Sequence, residues 1–403
     1  MSADKPPEDQ LMLLPARTPA EASAWGSAAM EYAAAFQNVH FARDPSRVDW
    51  RGYRRVSIVR PSFWPDDLAV IIKQANPEIG IDRIPVDTSD ALRVLLNLRV
   101  RYGWRYGSQE DFDWAGVWPW GVSLIGLHGR SNGEFEKSDY AIVRTARLEA
   151  VKITSHATMA TVHQLRAINP NLFILVRPIV SFGDAEASRR VRPQEFVDWT
   201  TPDLKRLLDG DASLRYVEIH NEPNLRLEGL GGSWKDGYEF RDWFLEVMRL
   251  YRERFPRARL GFPGLSPGPT SASQGRMDAE LFLSQAEFAA QQADWVGLHA
   301  YWTSEREMGD DSVGRSYERY RERFPEKLLF ITEFGNPSQP KAVVAEQYAR
   351  YYGMLRRFKG LGAAFAYVVS TSDPVESARW AWRDESGKDV GIAAEVGRRV
   401  YIP

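Results

Sequence analysis

From residue 122 onwards, short apolar runs alternate with longer segments in which apolar residues recur every three or four positions. The short runs are typical of buried strands, and the longer segments are typical of helices that pack one face against a core. Strands are predicted in this way at 122–128, 150–154, 172–176, 216–221, 259–263, 295–302, 328–333 and 363–370. Helices are predicted at 139–148, 157–168, 193–208, 236–255, 278–292, 312–324, 341–359 and 392–400.

This alternation predicts the fold class. Strands joined by helices imply parallel pairing with right-handed crossovers, and eight repeats favour a closed (β/α)8 barrel. An open doubly wound sheet is the alternative, but no Gly-x-Gly-x-x-Gly or P-loop sequence follows the first predicted strand. The loops that follow strands are long, which would build a cleft at one face. We therefore predict an α/β protein, a (β/α)8 TIM barrel with an N-terminal α-rich accessory region.

The first 117 residues have a less regular pattern. Residues 1–20 are polar and rich in proline, which predicts a disordered or extended tail. Helices are predicted at 20–36, 66–75 and 90–102, with a short strand at 53–59. We expect residues 21–117 to form an accessory region of unknown role, and residues 118–403 to form the barrel.

Composition narrows the classes of function. The 403 residues are 44% apolar and 26% charged, a mixture that permits a large core. The net charge of −2 argues against a nucleic-acid partner and against a polybasic membrane contact. The chain has no cysteine, which excludes disulfides, thiolate catalysis and cysteine-based metal sites. No secretory signal or membrane-spanning run is visible, so we expect a cytoplasmic protein, with export by another route left open.

Two glutamates occupy the same place on two predicted strands. The fourth strand ends in Asn221-Glu222-Pro223, where the proline stops the strand. The seventh run ends at Glu333. The carboxyl ends of barrel strands meet at one face, so both side chains and Tyr301 of the sixth strand are predicted to converge there. Two carboxylates in an enclosed mouth, one protonated and one ionised, are typical of glycoside hydrolysis.

The two-residue period of a strand also makes a prediction about the side chains below this site. If Glu222 points into the barrel, then His220 and Glu218 are expected to stack beneath it. On the seventh strand, Ile331 and Glu333 are expected to share one face.

These motifs resemble those of glycoside hydrolase clan A. Its retaining enzymes carry the acid/base in Asn-Glu-Pro after strand four and the nucleophilic glutamate at the end of strand seven. Asn221-Glu222-Pro223 and Thr332-Glu333-Phe334-Gly335 match both, and His299-Ala300-Tyr301 is similar to the clan's His-x-Tyr on strand six. The resemblance covers the barrel, about 70% of the chain. Each tripeptide alone is a weak signal, but three in the right order on the right strands are specific.

The resemblance implies a double displacement in which Glu333 attacks the anomeric carbon, while Glu222 acts first as acid and then as base. It further implies that Asn221 binds the sugar 2-hydroxyl and that Tyr301 orients Glu333, with His299 as a second partner. The carboxyl groups would lie about 5–5.5 Å apart, whereas about 6.5–9.5 Å would mean inversion. The implied partner is a carbohydrate, an oligosaccharide or polysaccharide, and no metal or organic cofactor is implied.

Two positions depart from the clan's pattern. Clan members often carry an arginine on an early strand that supports the nucleophile. Here the second strand carries Lys152, and Arg177 at the end of the third strand is the candidate to supply that charge instead. Clan members also usually present a tryptophan just after strand eight as a floor for the sugar. Here Tyr367 lies on that strand, and Trp380 and Trp382 follow it.

Several alternatives stay open at this point. His128, Trp234 and Trp302 lie at strand ends or on mouth loops, where they could contact substrate or pack the loops. Glu218 and Lys152 could form a buried ion pair. A transglycosylase would use the same two glutamates, and a catalytically silent glycan-binding barrel would use neither.

Overall fold

The computed structural model of the chain describes residues 10–36, 38–77, 79–84, 86–102, 118–130, 134–183 and 188–400. The chain forms two compact units, Met1–Asp113 and Trp114–Pro403. Each unit has hydrophobic clusters of its own.

The first unit contains a four-stranded parallel sheet in the order β2-β1-β3-β4. Its strands are β1 (Gln10–Leu13), β2 (Val39–Ala42), β3 (Arg55–Val59) and β4 (Gly80–Ile84). Its helices are α1 (Pro19–Phe36), α2 (Leu68–Ala75) and α3 (Ser89–Tyr102), with 3-10 helices at Pro45–Arg47, Trp50–Gly52 and Pro61–Phe63. Successive side chains of β1 point to opposite faces, because Leu11 packs with residues of α2 and Met12 packs with residues of α1 and α3. The sheet is therefore covered on both faces.

The second unit is a closed barrel of eight parallel strands that follow one another in chain order, with the last strand paired to the first. The strands are β5 (Leu124–His128), β6 (Ala150–Thr154), β7 (Phe173–Arg177), β8 (Tyr216–Glu218), β9 (Arg259–Phe262), β10 (Trp295–Tyr301), β11 (Leu328–Gly335) and β12 (Leu361–Ala366). Closure leaves no strand edge unpaired, so the backbone groups of the barrel are satisfied within the unit.

Helices surround the barrel and several begin at a capping side chain. Thr158, Asp236 and Asp278 each accept a hydrogen bond from a backbone amide in the first turn of the helix that follows. The helices of the described residues are α4 (Lys137–Thr145), α5 (Met159–Ile168), α6 (Pro193–Gly210), α7 (Gly237–Arg254), α8 (Ala279–Gln292), α9 (Glu305–Met308), α10 (Ser316–Arg323), α11 (Lys341–Leu355), α12 (Pro374–Trp380) and α13 (Ile392–Gly397). A 3-10 helix at Arg226–Glu228 lies in the loop after β8.

The barrel has two hydrophobic layers. A large cluster lies between the strands and the surrounding helices. A smaller cluster of strand residues fills the interior, and Trp118 joins it, with its ring centroid 5.1 Å from that of Phe173 and 5.3 Å from that of Phe330. Most of these residues lie on the early or middle parts of their strands, so they fill the barrel below the site and leave the other end open to the side chains of the loops that follow the strands.

The predicted fold class is confirmed, and all eight predicted barrel strands are present with small shifts at their ends. The first unit contains the predicted helices and the predicted strand, which is β3. It also contains three further strands that complete a parallel sheet and that the sequence pattern did not indicate. The expectation of a disordered or extended tail over residues 1–20 is wrong for Gln10–Leu13, which form a buried central strand, and for the start of α1 at Pro19. Residues 1–9 lie outside the described part of the chain. None of the helices in the described ranges is long and apolar enough to span a membrane.

Candidate active site

Glu333 reaches the barrel interior because of a β-bulge in β11. Between Ile331 and Glu333 the pairing with β10 skips Thr332, which is the extra residue of the bulge. Before the bulge Phe330 belongs to the interior cluster, whereas Leu329 and Ile331 pack against the helices. An added residue reverses which side chains face inward, so Glu333 and not Thr332 enters the barrel. The expectation that Ile331 and Glu333 share one face is therefore wrong.

Glu333 is surrounded by hydrogen-bond donors. Lys152 Nζ and Arg177 Nη1 lie 3.2 and 3.0 Å from its Oε1, and the Tyr301 hydroxyl donates to its Oε2 at 2.7 Å. Burial opposes ionisation, but the charges of Lys152 and Arg177 are among those that outweigh it and hold the pKa of Glu333 well below its usual range. Burial, with Glu333 beside it, raises the pKa of Tyr301 well above its usual value, so the phenol keeps its proton. Glu333 is thus a carboxylate at neutral pH.

Lys152 is shared between two carboxylates. It is fully buried on β6, and its Nζ lies 2.7 Å from Glu218 Oε2 while also donating to the Thr332 carbonyl at 3.2 Å. Glu218 in turn accepts from the backbone amide of Gly264 at 3.3 Å. The buried ion pair that the sequence raised as an alternative is present, and it fixes the ammonium beneath Glu333. Lys152 and Arg177 together supply the positive charge expected of an early-strand arginine.

His128 lies under the same carboxylate. Its ring is fully buried, its Nδ1 donates to the Gly129 carbonyl at 2.9 Å, and its Nε2 is 3.7 Å from Glu333 Oε1. Burial lowers the pKa of His128 well below its usual value, and Lys152 and Arg177 act in the same direction. His128 is therefore a neutral side chain that packs beneath the site, and it is not exposed for contact with a substrate as the sequence had suggested.

Glu222 is held by the backbone that follows β8. Its φ is 39°, in the left-handed region that favours glycine, and its amide donates to the Gly264 carbonyl at 2.9 Å. The side chain is 17% exposed, and His299 Nδ1 donates to its Oε1 at 3.0 Å. His299 is 3.9 Å from Glu333, so it is closer to Glu222 than to the partner that the resemblance implied.

His220 does not lie beneath Glu222. Its ring packs among aromatic side chains between β8 and the helices, including Phe182 at 4.6 Å and Trp234 at 5.4 Å between centroids. Burial lowers the pKa of His220 to about 3, so the ring is neutral, and its Nε2 donates to the Glu228 carbonyl at 2.7 Å. The expected stack inside the barrel fails at this residue because β8 ends at Glu218 and the strand period ends with it.

The two candidate catalytic carboxylates converge. One oxygen of Glu222, one oxygen of Glu333 and a ring nitrogen of His299 all lie within 4.8 Å of one another. A divalent cation could use such a donor set. However, Lys152 and Arg177 already neutralise Glu333 and would repel a cation, so the arrangement favours carboxylate chemistry without a metal.

Asn221 and Glu228 form a second polar contact beside Glu333. Asn221 Oδ1 accepts from Arg177 Nη1 at 2.6 Å, and Asn221 Nδ2 donates to Glu228 Oε1 at 3.2 Å. Burial raises the pKa of Glu228 to about 7, against the effects of Arg177 and Asn221. Sequence reasoning missed Glu228, because it lies six residues beyond Glu222 in a loop with no regular period.

Trp380 and Tyr367 form an aromatic wall with Tyr301. The ring centroid of Trp380 is 5.2 Å from that of Tyr301 and 5.7 Å from that of Tyr367, and both Trp380 and Tyr367 are partly exposed. Glu376, which sequence reasoning also missed, accepts a hydrogen bond from the Tyr367 hydroxyl and another from Thr371 at 2.8 Å. Of the tryptophan candidates, Trp380 is the one that the structure places beside the carboxylates with an accessible ring.

The other three tryptophan candidates are buried. Trp234, Trp302 and Trp382 are at most 1% exposed, so none is accessible to a sugar. Trp234 Nε1 donates to the Pro223 carbonyl at 2.7 Å, which supports the loop that carries Glu222. Trp302 Nε1 donates to Gln347 Oε1 at 2.9 Å. Their assignment as substrate contacts is therefore corrected to loop and core packing, because large apolar rings at strand ends also fill the layer beneath the helices.

Comparisons with known proteins bear on the fold. No protein-family model matches the chain, and no curated protein matches it. Among solved structures, a GH128 (subgroup II) endo-β-1,3-glucanase from Sorangium cellulosum is similar, with 17% identity, a TM-score of 0.48, and coverage of 68% of this chain and 98% of that one. A GH30 endoxylanase from Clostridium papyrosolvens C71 has 14% identity and a TM-score of 0.46, with coverage of 68% and 71%.

A calcium-binding mutant of Bacteroides uniformis β-glucuronidase 2 is also similar, with 11% identity and a TM-score of 0.50. The match covers 70% of this chain and 35% of that one. This last likeness, with its TM-score of 0.50, shows the fold alone. It agrees with the closed barrel that the sequence pattern predicted.

Proposed function

We propose that this protein is a retaining glycoside hydrolase that cleaves an oligosaccharide or polysaccharide. The observation that carries the proposal is the approach of a Glu222 oxygen to within 4.8 Å of a Glu333 oxygen at the carboxyl ends of the strands of a closed barrel. Retaining glycosidases hold their carboxyl groups about 5–5.5 Å apart, whereas inverting enzymes need about 6.5–9.5 Å to admit a water molecule. The short separation supports double displacement.

The two glutamates differ in their surroundings, and the difference supports separate roles. Glu333 is 4% exposed and is held as a carboxylate by Lys152, Arg177 and Tyr301, as a nucleophile requires. Glu222 is more exposed and bears its one side-chain hydrogen bond, among the described residues, to His299. It can therefore exchange a proton with a leaving group and then with water.

In the first step a Glu333 oxygen forms a bond to the anomeric carbon as the glycosidic bond breaks, and the Glu222 proton passes to the departing oxygen. In the second step Glu222 takes a proton from water, the water oxygen attacks the anomeric carbon, and the ester bond to Glu333 breaks. The Tyr301 hydroxyl donates to one oxygen of the ionised Glu333, and Lys152 and Arg177 donate to the other. The carboxylate is therefore held in one orientation. Trp380 offers an apolar face for the sugar ring.

Covalent trapping is the direct experiment. A panel of nitrophenyl glycosides identifies a sugar that the wild type hydrolyses, and the matching 2-fluoro glycosyl fluoride should then inactivate the enzyme and label Glu333, as peptide mass spectrometry would show. Azide added to Glu222→Ala should restore turnover and give the glycosyl azide of retained configuration. Azide added to Glu333→Ala should give the inverted product, because azide then attacks the substrate directly.

Glu385→Ala is the matched control, since Glu385 is an exposed carboxylate of the same unit. It should keep wild-type turnover. Glycan binding without turnover or labelling across the panel would contradict the proposal and would favour a binding role. Labelling at another carboxylate would contradict the assignment of Glu333.

A further inference from the structure

The side-chain amide of Asn221 is held at both ends by ionisable side chains. Arg177 Nη1 donates to its Oδ1 at 2.6 Å, and its Nδ2 donates to Glu228 Oε1 at 3.2 Å. In the reversed orientation, the amide nitrogen would face the guanidinium and the amide oxygen would face the carboxylate. The guanidinium carries donors only, so the reversed amide would lose that contact, and its nitrogen would no longer reach the Glu228 oxygen. Arg177 and Glu228 together therefore fix the direction of the amide.

The two anchors are not equivalent. The nitrogen of Arg177 that contacts Asn221 also donates to Glu333 at 3.0 Å, so its position is tied to that carboxylate. Glu228 feels the charge of Glu333, but among the described residues it has no hydrogen bond to that carboxylate. It ends the 3-10 helix Arg226–Glu228, where Gly229 with a φ of 115° closes the turn, and its carbonyl accepts from the buried His220 ring at 2.7 Å. The fold thus places the Glu228 carboxylate without help from the catalytic pair.

An amide nitrogen carries two hydrogens, and Glu228 takes one of them from Asn221. Among the described residues, no other protein acceptor is bonded to this nitrogen. The second hydrogen is therefore available to a ligand. Its direction is set by the first, because the amide group is planar.

We propose that Glu228 is a positioning residue that directs the Asn221 amide towards the sugar 2-hydroxyl. Glu228 thereby determines by how much the 2-hydroxyl raises kcat/KM. This inference rests on the proposed function. Glu228 acts through Asn221 and takes no part in bond making. Replacing Glu228 should therefore weaken the protein's preference for a substrate that has the 2-hydroxyl over one that lacks it.

The test compares two substrates across four variants. The substrates are the nitrophenyl glycoside of the panel with the fastest turnover and its 2-deoxy counterpart. Glu228→Ala should lower kcat/KM for the first by about 10-fold to 100-fold, the size of a lost hydrogen bond to a charged group, and for the 2-deoxy substrate by less than about 3-fold. Glu228→Gln should retain most of the activity, because its amide oxygen can accept from Asn221.

A double variant shows whether Glu228 acts through Asn221. Asn221→Ala alone should remove the preference for the 2-hydroxyl, and adding Glu228→Ala to it should cause little further loss. If Glu228→Ala does not fold, Glu228→Asp takes its place, because the shorter side chain withdraws the carboxylate from Asn221 and should reproduce the same pattern.

The outcomes separate the two proposals. Equal losses on both substrates, or no loss on either, would overturn the role of Glu228 while leaving the hydrolase proposal intact. Independent losses in the double variant would do the same. An inactive wild type that is not labelled at Glu333 would overturn the proposed function and this inference with it.

Discussion

At the scale of single residues, Lys152 contacts both a structural carboxylate, Glu218, and a candidate catalytic one, Glu333. It contacts Glu218 at 2.7 Å and Glu333 at 3.2 Å with no exposed surface. From the sequence, an ion pair between Lys152 and Glu218 was one open alternative, because an unpaired charge inside a barrel is costly. The sequence could not show the contact with Glu333, because the bulge at Thr332 decides which residue of β11 meets the ammonium.

Lys152→Met should separate the two roles. The change leaves Glu218 buried without its partner, so we expect a loss of about 3–5 kcal/mol in the free energy of unfolding. It also removes a positive charge from Glu333, so the pKa of Glu333 should rise and the acidic limb of the pH profile of kcat/KM should move to higher pH.

The double variant Lys152→Met with Glu218→Gln is the control. It should recover part of the stability, because the unpaired carboxylate is gone, but its acidic limb should stay at the higher pH. Chemical denaturation measures the first effect and a pH–rate profile the second. An acidic limb that does not move in either variant would contradict the role of Lys152 in keeping Glu333 ionised.

Glu228 makes stability depend on pH. Burial raises its pKa in the folded protein to about 7 from an ordinary value of 4.5. A raised pKa means that the folded state binds the Glu228 proton more tightly than the unfolded state does, so the bound proton stabilises the fold. This stabilisation is complete below about pH 4.5 and is lost as pH rises through about 7. Glu228 is only partly buried, so solvent screening makes the loss smaller than the full shift, about 1–3 kcal/mol.

Glu228→Gln removes that titration. The variant's free energy of unfolding relative to wild type should therefore increase between about pH 4.5 and about pH 8, by about 1–3 kcal/mol. Urea denaturation of both proteins at several pH values measures the difference between their free energies of unfolding. The contributions of the other titrating groups are the same in both proteins and cancel in this difference. A difference that is independent of pH would show that Glu228 titrates normally.

At the scale of elements, the strands were predictable from apolar runs, but the end of each strand was not. The pattern placed all eight barrel strands and therefore put Glu222 and Glu333 at one face. It did not show that β8 stops at Glu218, or that a bulge precedes Glu333. These features arise from pairing with neighbouring strands, and a single strand's two-residue period contains no information about them.

The junction after β9 also depends on close contact between elements. A Cβ added at Gly264 would lie 2.1 Å from Cδ2 and 2.4 Å from Nε2 of His299, the ring that donates to Glu222. Gly264→Ala should therefore displace the imidazole, lower the free energy of unfolding by about 1–3 kcal/mol, and reduce kcat/KM.

Gly309→Ala is the matched control within the barrel unit, because its Cβ would meet only the Arg306 carbonyl at 3.5 Å and the Glu305 carbonyl at 4.0 Å. It should leave activity unchanged. Thermal melts and turnover of an activated aryl glycoside would test both variants. Wild-type stability in Gly264→Ala would show that the imidazole has room to shift.

At the scale of the whole molecule, the fold of the barrel was predictable, whereas in the first unit the helices and one strand were predictable and the sheet was not. Eight repeats of one pattern reinforce one another, whereas the first unit has short strands separated by irregular segments. The central strand β1 is four residues long and follows a polar start, so its apolar residues gave too short a signal to distinguish a strand from a tail. The candidate site was likewise predictable on the strands or just after them, at Glu222, Tyr301 and Glu333, and not farther along the loops, where Glu228 lies, or in the helix that carries Glu376.

The barrel closes on itself within residues 114–403, so a protein of that length should fold alone. We expect one cooperative thermal transition and retained turnover of a small aryl glycoside. A chain that starts at residue 122 lacks Trp118, whose ring fills the barrel interior against Phe173 and Phe330. It should lose about 3–5 kcal/mol relative to the longer chain. Equal stability of the two chains would show that Trp118 is dispensable to the core.

The backbone at Glu222 has a consequence for how this protein could change. A φ of 39° costs a residue with a side chain about 1–2 kcal/mol, and glycine would adopt it freely. Glu222→Gly should therefore be more stable than Glu222→Ala by about 1 kcal/mol in chemical denaturation, although neither carries an acid. Selection for heat resistance alone would therefore favour glycine at position 222, and a glutamate persists there only while turnover is also under selection.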